Sequence, residues 1–279
     1  MPARARPAAS DRAPTGAAAY AYPTSVAGSV VGGRYVLGGL LRGTAAGEVW
    51  RAADAAGKPA IVKVAFEPAL RRRLGAESDV LHACIHAAIV RPLAFVETAA
   101  CAALVTEYLT GGDLVSTAGA APRHWARAAL DVLDALDYLH ARGLVHRDVK
   151  ARNVMLDATG RARLVDFGSA ARIGMPRRTG GTTPAHRYAA DGEITAADDV
   201  YAFAVLVYEL LSGRLPFGVD PRPRARKAPP VLHEHADADA RALERLVLRT
   251  LDARDGRDPG SMSAYRDVLE SMAEEADSK

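Results

Sequence analysis

Among its 279 residues the chain has no glutamine, one asparagine, two cysteines and only five lysines against thirty-one arginines. Several of these shortages exclude something. Cys84 and Cys101 are too few for a disulfide framework, and no C-x-x-C occurs, which argues against a cysteine zinc site and fits a reducing compartment. His82 and His86 would share a helix face beside Cys84, but two ligands without a third or fourth make a poor metal site. No apolar run is long enough to span a bilayer. The longest, Val200 to Leu211, is interrupted by Tyr208 and Glu209 and predicts a buried core helix. The first 25 residues lack the continuous apolar stretch of a signal peptide, so a cytoplasmic location is expected. Excess charge is missing too: a net +3 gives no reason to expect nucleic acid or a membrane surface as partner.

What remains is ordinary for a globular protein, 49% hydrophobic and 25% charged, and long enough for one large domain or two lobes. Residues 1–33, rich in Ala, Pro and Arg, predict a disordered tail. From 34 to 109 the text reads as short strands around one helical pattern, Leu70 to His86. From 110 to 273 it is mainly helical. Trp125, Ala129, Leu133, Leu136 and His140 recur at helical spacing before Gly143. Val154–Leu156 and Ala162–Val165 flank a turn and predict a hairpin. Thr195-x-x-Asp198 predicts a capping box for a helix that Gly213 closes. Two amphipathic helices, Ala240–Leu251 and Ser263–Met272, precede a short tail at 274–279. The expectation is an α+β fold with a small β-rich lobe, a larger helical lobe and a hinge near Glu107–Gly112.

The chemistry lies in GLVHRDVKARNVMLDATGRARLVDFGSA, Gly143 to Ala170. It holds His146-Arg147-Asp148, Lys150, the chain's single asparagine Asn153, and Asp166-Phe167-Gly168. Upstream stand Ala60-Ile61-Val62-Lys63, Glu77 on the first helical pattern, and Thr106-Glu107-Tyr108-Leu109; downstream stands Asp199-Val200-Tyr201-Ala202-Phe203. Taken alone, Lys63 on a strand, Glu77 on a helix or Asp148 in a loop is most simply a surface or turn residue. Those readings do not account for the common register. In that register the sequence resembles the eukaryotic-type serine/threonine protein kinases from about Arg34 to Met272, and the use of scarce Asn and Lys makes the match specific. The bias toward arginine and alanine is that of a GC-rich, bacterial genome.

The resemblance implies a bilobal protein kinase-like fold that transfers phosphate from ATP to serine or threonine hydroxyls of a protein substrate, with Mg²⁺ (or Mn²⁺) as cofactor. It makes Asp148 the residue that accepts or orients the acceptor hydroxyl. Lys150 neutralises charge on the transferred phosphate, and Lys63, held by Glu77, contacts the α- and β-phosphates. Asn153 and Asp166 become the metal ligands. Gly43, Gly47, Val49, Thr106 (as gatekeeper), Glu107, Leu109 and Asp113 line the nucleotide. His146 packs the catalytic loop. Arg147, with a phosphate on Thr179, Thr182 or Thr183, orders the activation segment beside Arg172, Arg177 and Arg178. Arg152 stands where kinases preferring basic substrates carry a glutamate, so no strong preference for upstream arginine is expected.

Two places depart from the family. In LLRGTAAGEVW, Leu40 to Trp50, Arg42 and Thr44 replace the first two glycines of a G-x-G-x-x-G phosphate loop, and only Gly47 is in register. Glycine there lets backbone N–H groups approach phosphate, so weaker nucleotide affinity is expected. Ala189-Ala190-Asp191 stands for A-P-E, which shortens the reach to Arg257. These departures support a competing reading as a pseudokinase that binds without turnover; the intact Lys63, Asp148 and Asp166 oppose it. A small-molecule kinase on a related fold is opposed by the Asp199 helix.

Overall fold

The computed structural model of the protein describes residues 25–44, 47–176, 192–217, 238–252 and 262–277. Alternating apolar residues build the smaller part, an antiparallel sheet of β1 (Val30–Val31), β2 (Tyr35–Thr44), β3 (Gly47–Ala53), β4 (Pro59–Ala65), β5 (Pro92–Glu97) and β6 (Ala102–Glu107). The strand order is β1-β2-β3-β4-β6-β5. Successive side chains of a strand leave on opposite faces. Trp50, Ala52, Val62 and Val64 therefore join Tyr35 and Leu37 in an outer core, while Val49, Ile61 and Lys63 face a cavity on the inner side.

Residues 25–31, which composition assigns to a disordered tail, instead lie along β2. The Gly28 N–H donates to the Leu37 carbonyl at 2.7 Å, and the Leu37 N–H donates to the Ser29 carbonyl at 2.9 Å. At the start of this segment, the Ser25 N–H donates to Glu48 Oε2 at 3.2 Å, beside the Trp50 indole at 2.8 Å. The expectation fails because the free edge of β2, which supplies these partners, is not visible in a local window.

Helix α1 (Pro68–Ala83) crosses the inner face and buries Leu74, Glu77 and Leu81, with proline in its first turn where a missing N–H costs nothing. It ends before His86, because Cys84 already has extended backbone. His82 and His86 thus do not share a helix face; His86 stacks on Tyr138, with ring centroids 4.8 Å apart.

The larger part contains α2 (Ala126–His140), α3 (Ala197–Ser212), α4 (Ala238–Asp252) and α5 (Met262–Asp277), with the short strands β7 (Leu144–Val145), β8 (Val154–Leu156), β9 (Ala162–Leu164) and β10 (Ala171–Arg172). The predicted hairpin is β8–β9, paired Val154↔Leu164. Asp131, buried on α2, accepts from the Arg161 guanidinium and from the Ala162 N–H at 2.8 Å, which docks the hairpin onto the helix. Of the capping box only one half forms: Asp198 Oδ2 accepts from the Thr195 N–H at 3.4 Å, with Ala196 as the capping residue. Gly213, in left-handed backbone, ends α3 as expected.

One apolar core runs through both parts. The chain joining them is pinned to the hairpin: Gly111 N–H donates to the Leu156 carbonyl and Leu156 N–H to the Gly112 carbonyl, each at 2.8 Å. A Cβ at Gly111 would lie 2.7 Å from the Asp157 carbonyl oxygen, so this approach needs glycine. Among the described residues, no helix is long and apolar enough to cross a membrane.

Candidate active site

Between the two parts lies a cavity of about 540 Å³ lined by Val49, Lys63, Glu77, Thr106, Glu107, Leu109, Asp113, Lys150, Asn153 and Asp166. A second opening of about 410 Å³ continues beneath the β2–β3 hairpin past Gly47, Val49, Lys63 and Asp166. These residues come from positions up to 119 apart in sequence, 47 to 166. Gly43 lines neither opening. Gly47 does, and it must be small: a Cβ there would stand 2.8 Å from the Val64 carbonyl oxygen.

Lys63 leaves β4 on the cavity face. Its Nζ is 2.5 Å from Glu77 Oε1 and 3.0 Å from Asp166 Oδ1. Burial opposes the ammonium, but the two carboxylates outweigh burial and raise its pKa above the ordinary lysine value. Asp166 shows the converse. Burial would raise its pKa, yet Lys63 brings it below the usual carboxylate value. Glu77 Oε1 also accepts the Phe167 N–H at 3.2 Å, so one carboxylate ties α1, β4 and the Asp166-Phe167-Gly168 turn together.

Asp148 is buried, and its two oxygens are unequal. Oδ2 accepts from Lys150 Nζ at 2.7 Å and from Asn153 Nδ2 at 2.9 Å, while Oδ1 is buried with no hydrogen-bond partner. A buried acceptor left unmatched costs free energy and marks a place where a donor belongs. Asn153 Nδ2 also donates to the Asp148 carbonyl at 2.9 Å. With its nitrogen so engaged, Asn153 has only its amide oxygen left to offer the cavity.

The loop is held from below by Asp199, fully buried at the start of α3. Its Oδ2 accepts the His146 N–H at 2.8 Å and lies 3.0 Å from His140 Nε2; its Oδ1 accepts the Arg147 N–H at 2.7 Å. Arg147 and Asp166 are the two non-glycine residues, among those described, with left-handed backbone, at φ 66° and 65°. Such conformations cost of order 1–3 kcal/mol each and persist only where surroundings impose them; the bonds to Asp199 and Lys63 do so. His146 fills the space between: Nε2 faces the Val165 carbonyl at 3.2 Å and Nδ1 accepts the Asp148 N–H at 3.2 Å. Its ring meets Phe167 edge-on, with centroids 4.7 Å apart. A carbonyl on one nitrogen and an N–H on the other require the neutral Nε2–H tautomer. Burial depresses the His146 pKa accordingly, with Asp199, Asp148 and Asp166 opposing it in part.

The Glu107 side chain turns to structural work, accepting from Arg163 Nη1 at 3.0 Å and from the Arg91 N–H at 2.8 Å. Its place at the hinge is therefore a matter of backbone. The candidate phosphosites Thr179, Thr182 and Thr183, with Arg177, Arg178, Ala189-Ala190-Asp191 and Arg257, lie outside the described residues. Sequence reasoning singles out the Asp199 motif but not what Asp199 holds, since its partners stand over fifty positions away. It also passes over Met155 and Ile61 as cavity lining; the available signal for Ile61 is its alternation with Lys63 along β4, and Met155 follows Asn153 by two positions in β8.

A model described as protein kinase domain matches residues 43–250. CBL-interacting protein kinase 4 of Oryza sativa subsp. japonica is 35% identical over 246 residues, covering 79% of this chain and 54% of its own length. The serine/threonine-protein kinase pkn2 of Myxococcus xanthus is 33% identical over 230 residues, 72% of this chain and 27% of that protein. Serine/threonine-protein kinase PkaA of Streptomyces coelicolor is 33% identical over 246 residues, 76% and 44% respectively. The chain thus spans about a quarter to a half of the length of these relatives. With a family model covering most of its length and a cleft built in the same register, the chain belongs to the protein kinase family.

Proposed function

We propose that the protein is a bacterial, cytoplasmic, ATP-dependent serine/threonine protein kinase. The observation that carries this reading is Asp148: a buried carboxylate with one oxygen fixed by Lys150 and Asn153 and the other without a partner. On this reading that oxygen receives the proton of an acceptor hydroxyl. The hydroxyl oxygen attacks the γ-phosphorus, the bond to the bridging oxygen breaks, and ADP leaves. Lys150 neutralises charge on the group in transfer, and Lys63 holds the α- and β-phosphates. Adenine would lie on the backbone of Glu107 and Leu109, under Val49 and beside Thr106 and Asp113.

The donor set suits Mg²⁺. The Asn153 amide oxygen and the Asp166 carboxylate are hard oxygen ligands, and two protein ligands match an ion that completes its shell with water and phosphate oxygens. When bound, the ion would neutralise phosphate charge.

A serine/threonine preference is supported by Lys150 and by the relatives' names. Autophosphorylation at Thr179, Thr182 or Thr183, read out through Arg147, is part of the proposal, and mass spectrometry of protein incubated with ATP tests it. The central test is labelled ATP with Mg²⁺ and a generic protein acceptor, using wild type, Asp148→Ala and Asp166→Ala. Transfer by wild type that either substitution abolishes supports the reading. Nucleotide binding with no transfer by wild type replaces it with a binding module.

A further inference from the structure

The hairpin that covers the phosphate end of the cavity holds a cation where a backbone cradle is expected. In the sheet register Arg42 pairs with Val49, and Val49 pairs with Lys63. Directly paired residues of antiparallel strands project from the same face. Arg42, Val49 and Lys63 therefore form one row across β2, β3 and β4, with the Arg42 and Lys63 backbones two strand spacings, about 10 Å, apart. Arg42 and Lys63 line both openings of the site.

Two further observations bear on what Arg42 does there. First, the Gly47 N–H is already used: it donates to Thr44 Oγ1 at 3.3 Å, and the Thr44 hydroxyl donates to the Gly47 carbonyl at 3.2 Å. Thr44 closes the hairpin on itself and takes up an amide that the glycine pattern leaves for phosphate. Second, among the described residues Arg42 has no ion pair or hydrogen bond, whereas Lys63 is bound by two carboxylates.

Building on the kinase reading, we propose that Arg42 is a phosphate-binding residue, whose guanidinium grips the terminal phosphates of the nucleotide where the Gly47 amide is already engaged. A guanidinium offers a planar fork of donors matched to phosphate oxygens and stays charged at any working pH. The loop then keeps its function with a different donor: a charge-assisted side chain in place of the Gly47 amide. The ligand class is a nucleoside di- or triphosphate rather than a nucleoside, and the γ-phosphate is the group that gains most.

The sign of one substitution separates this from a loop that is merely degraded. If Arg42 only obstructs a glycine-type cradle, Arg42→Gly tightens ATP binding. If Arg42 is the grip, Arg42→Gly and Arg42→Ala weaken it. Dissociation constants for ATP and for adenosine, measured calorimetrically on wild type, Arg42→Ala, Arg42→Gly and Arg42→Lys, decide the matter. The expected result is about a tenfold loss of ATP affinity in the Ala and Gly variants. Adenosine affinity stays unchanged, and the Lys variant recovers part of the loss. Unchanged or improved ATP binding in Arg42→Gly overturns the assignment, as does an equal loss for ATP and adenosine, which would mean a distorted cleft. If wild type binds no ATP, the kinase reading falls with it; if wild type binds and only the variants fail to respond, the assignment of Arg42 falls alone.

Discussion

The loop carrying Asp148 and the hairpin carrying Arg42 face the same cavity but are built in opposite ways. Around Asp148 the polar side chains are tied to one another: Lys150, Asn153, His146 and Asp199 each hold a neighbour, and Asp148 Oδ1 is buried without a partner. Around Arg42 the strand is exposed from Val36 onward except at Leu37. A buried network fixes each member through the others, since an unmatched group in low dielectric is costly. An exposed hairpin carries no such penalty. The difference fits a loop that keeps Asp148, Lys150 and Asn153 and a hairpin that carries Arg42 and Thr44 in place of two glycines.

The comparison can be broken at its strongest point first. Asp148→Ala removes the group with the unmatched oxygen and is expected to lower kcat about a thousandfold, with the affinity for ATP nearly unchanged. Steady-state kinetics with direct nucleotide binding checks both halves. Asp199→Ala touches no substrate, yet it strips acceptors from the His146 and Arg147 N–H groups and a partner from His140. It is expected to cost about 3 kcal/mol of stability, read as a large fall in melting temperature; a melt matching wild type would show that the left-handed turn at Arg147 holds without it. Glu77→Gln keeps the shape but ends the ion pair with Lys63, and is expected to reduce kcat/KM for ATP about tenfold.

The pH response gives a subtler comparison. His146 has its folded pKa depressed, so the unfolded chain takes up a proton more readily. The stability contributed by its neutral form is complete above the unfolded value and is lost as pH falls through the folded one. Melting temperature should decline from about pH 6.5 downward, and His146→Asn should flatten that slope; an unchanged slope places the acid sensitivity elsewhere. The smallest effect is expected in the lid. Thr44→Val removes an exposed hydroxyl and should cost less than about 1 kcal/mol; a loss as large as that of Asp199→Ala would erase the contrast.

Much of the site is legible in the sequence because its residue types are chemically constrained and scarce here. A lone asparagine in a loop means little by itself. Asn153, five positions past Asp148, gains its meaning from that spacing, and the structure shows it bonded to that aspartate. Strand faces follow from alternation, and the core helix α3 from its apolar run. What escapes are relations set by tertiary structure. Asp199 reads as a helix start until His146 lies above it. The segment from Ser25 to Val31 reads as a tail until β2 offers its edge. The helical pattern of α1 runs on to His86 in the sequence, because periodicity does not see the extended backbone at Cys84. The role of Arg42 is equally hidden, since it depends on a register that places it in line with Lys63.

The glycine that binds the connecting chain to β8 has a mechanical consequence. Stitched on both sides to Leu156, Gly111 and Gly112 travel with the larger part as a fixed mount. Within the connecting chain, any opening of the cleft would then turn at Tyr108, Leu109 and Thr110, between the end of β6 and this mount. Since Leu109 lies at the cavity wall, a nucleobase resting there would sit beside the axle, where a swing of the lid moves it least and moves the phosphate end most.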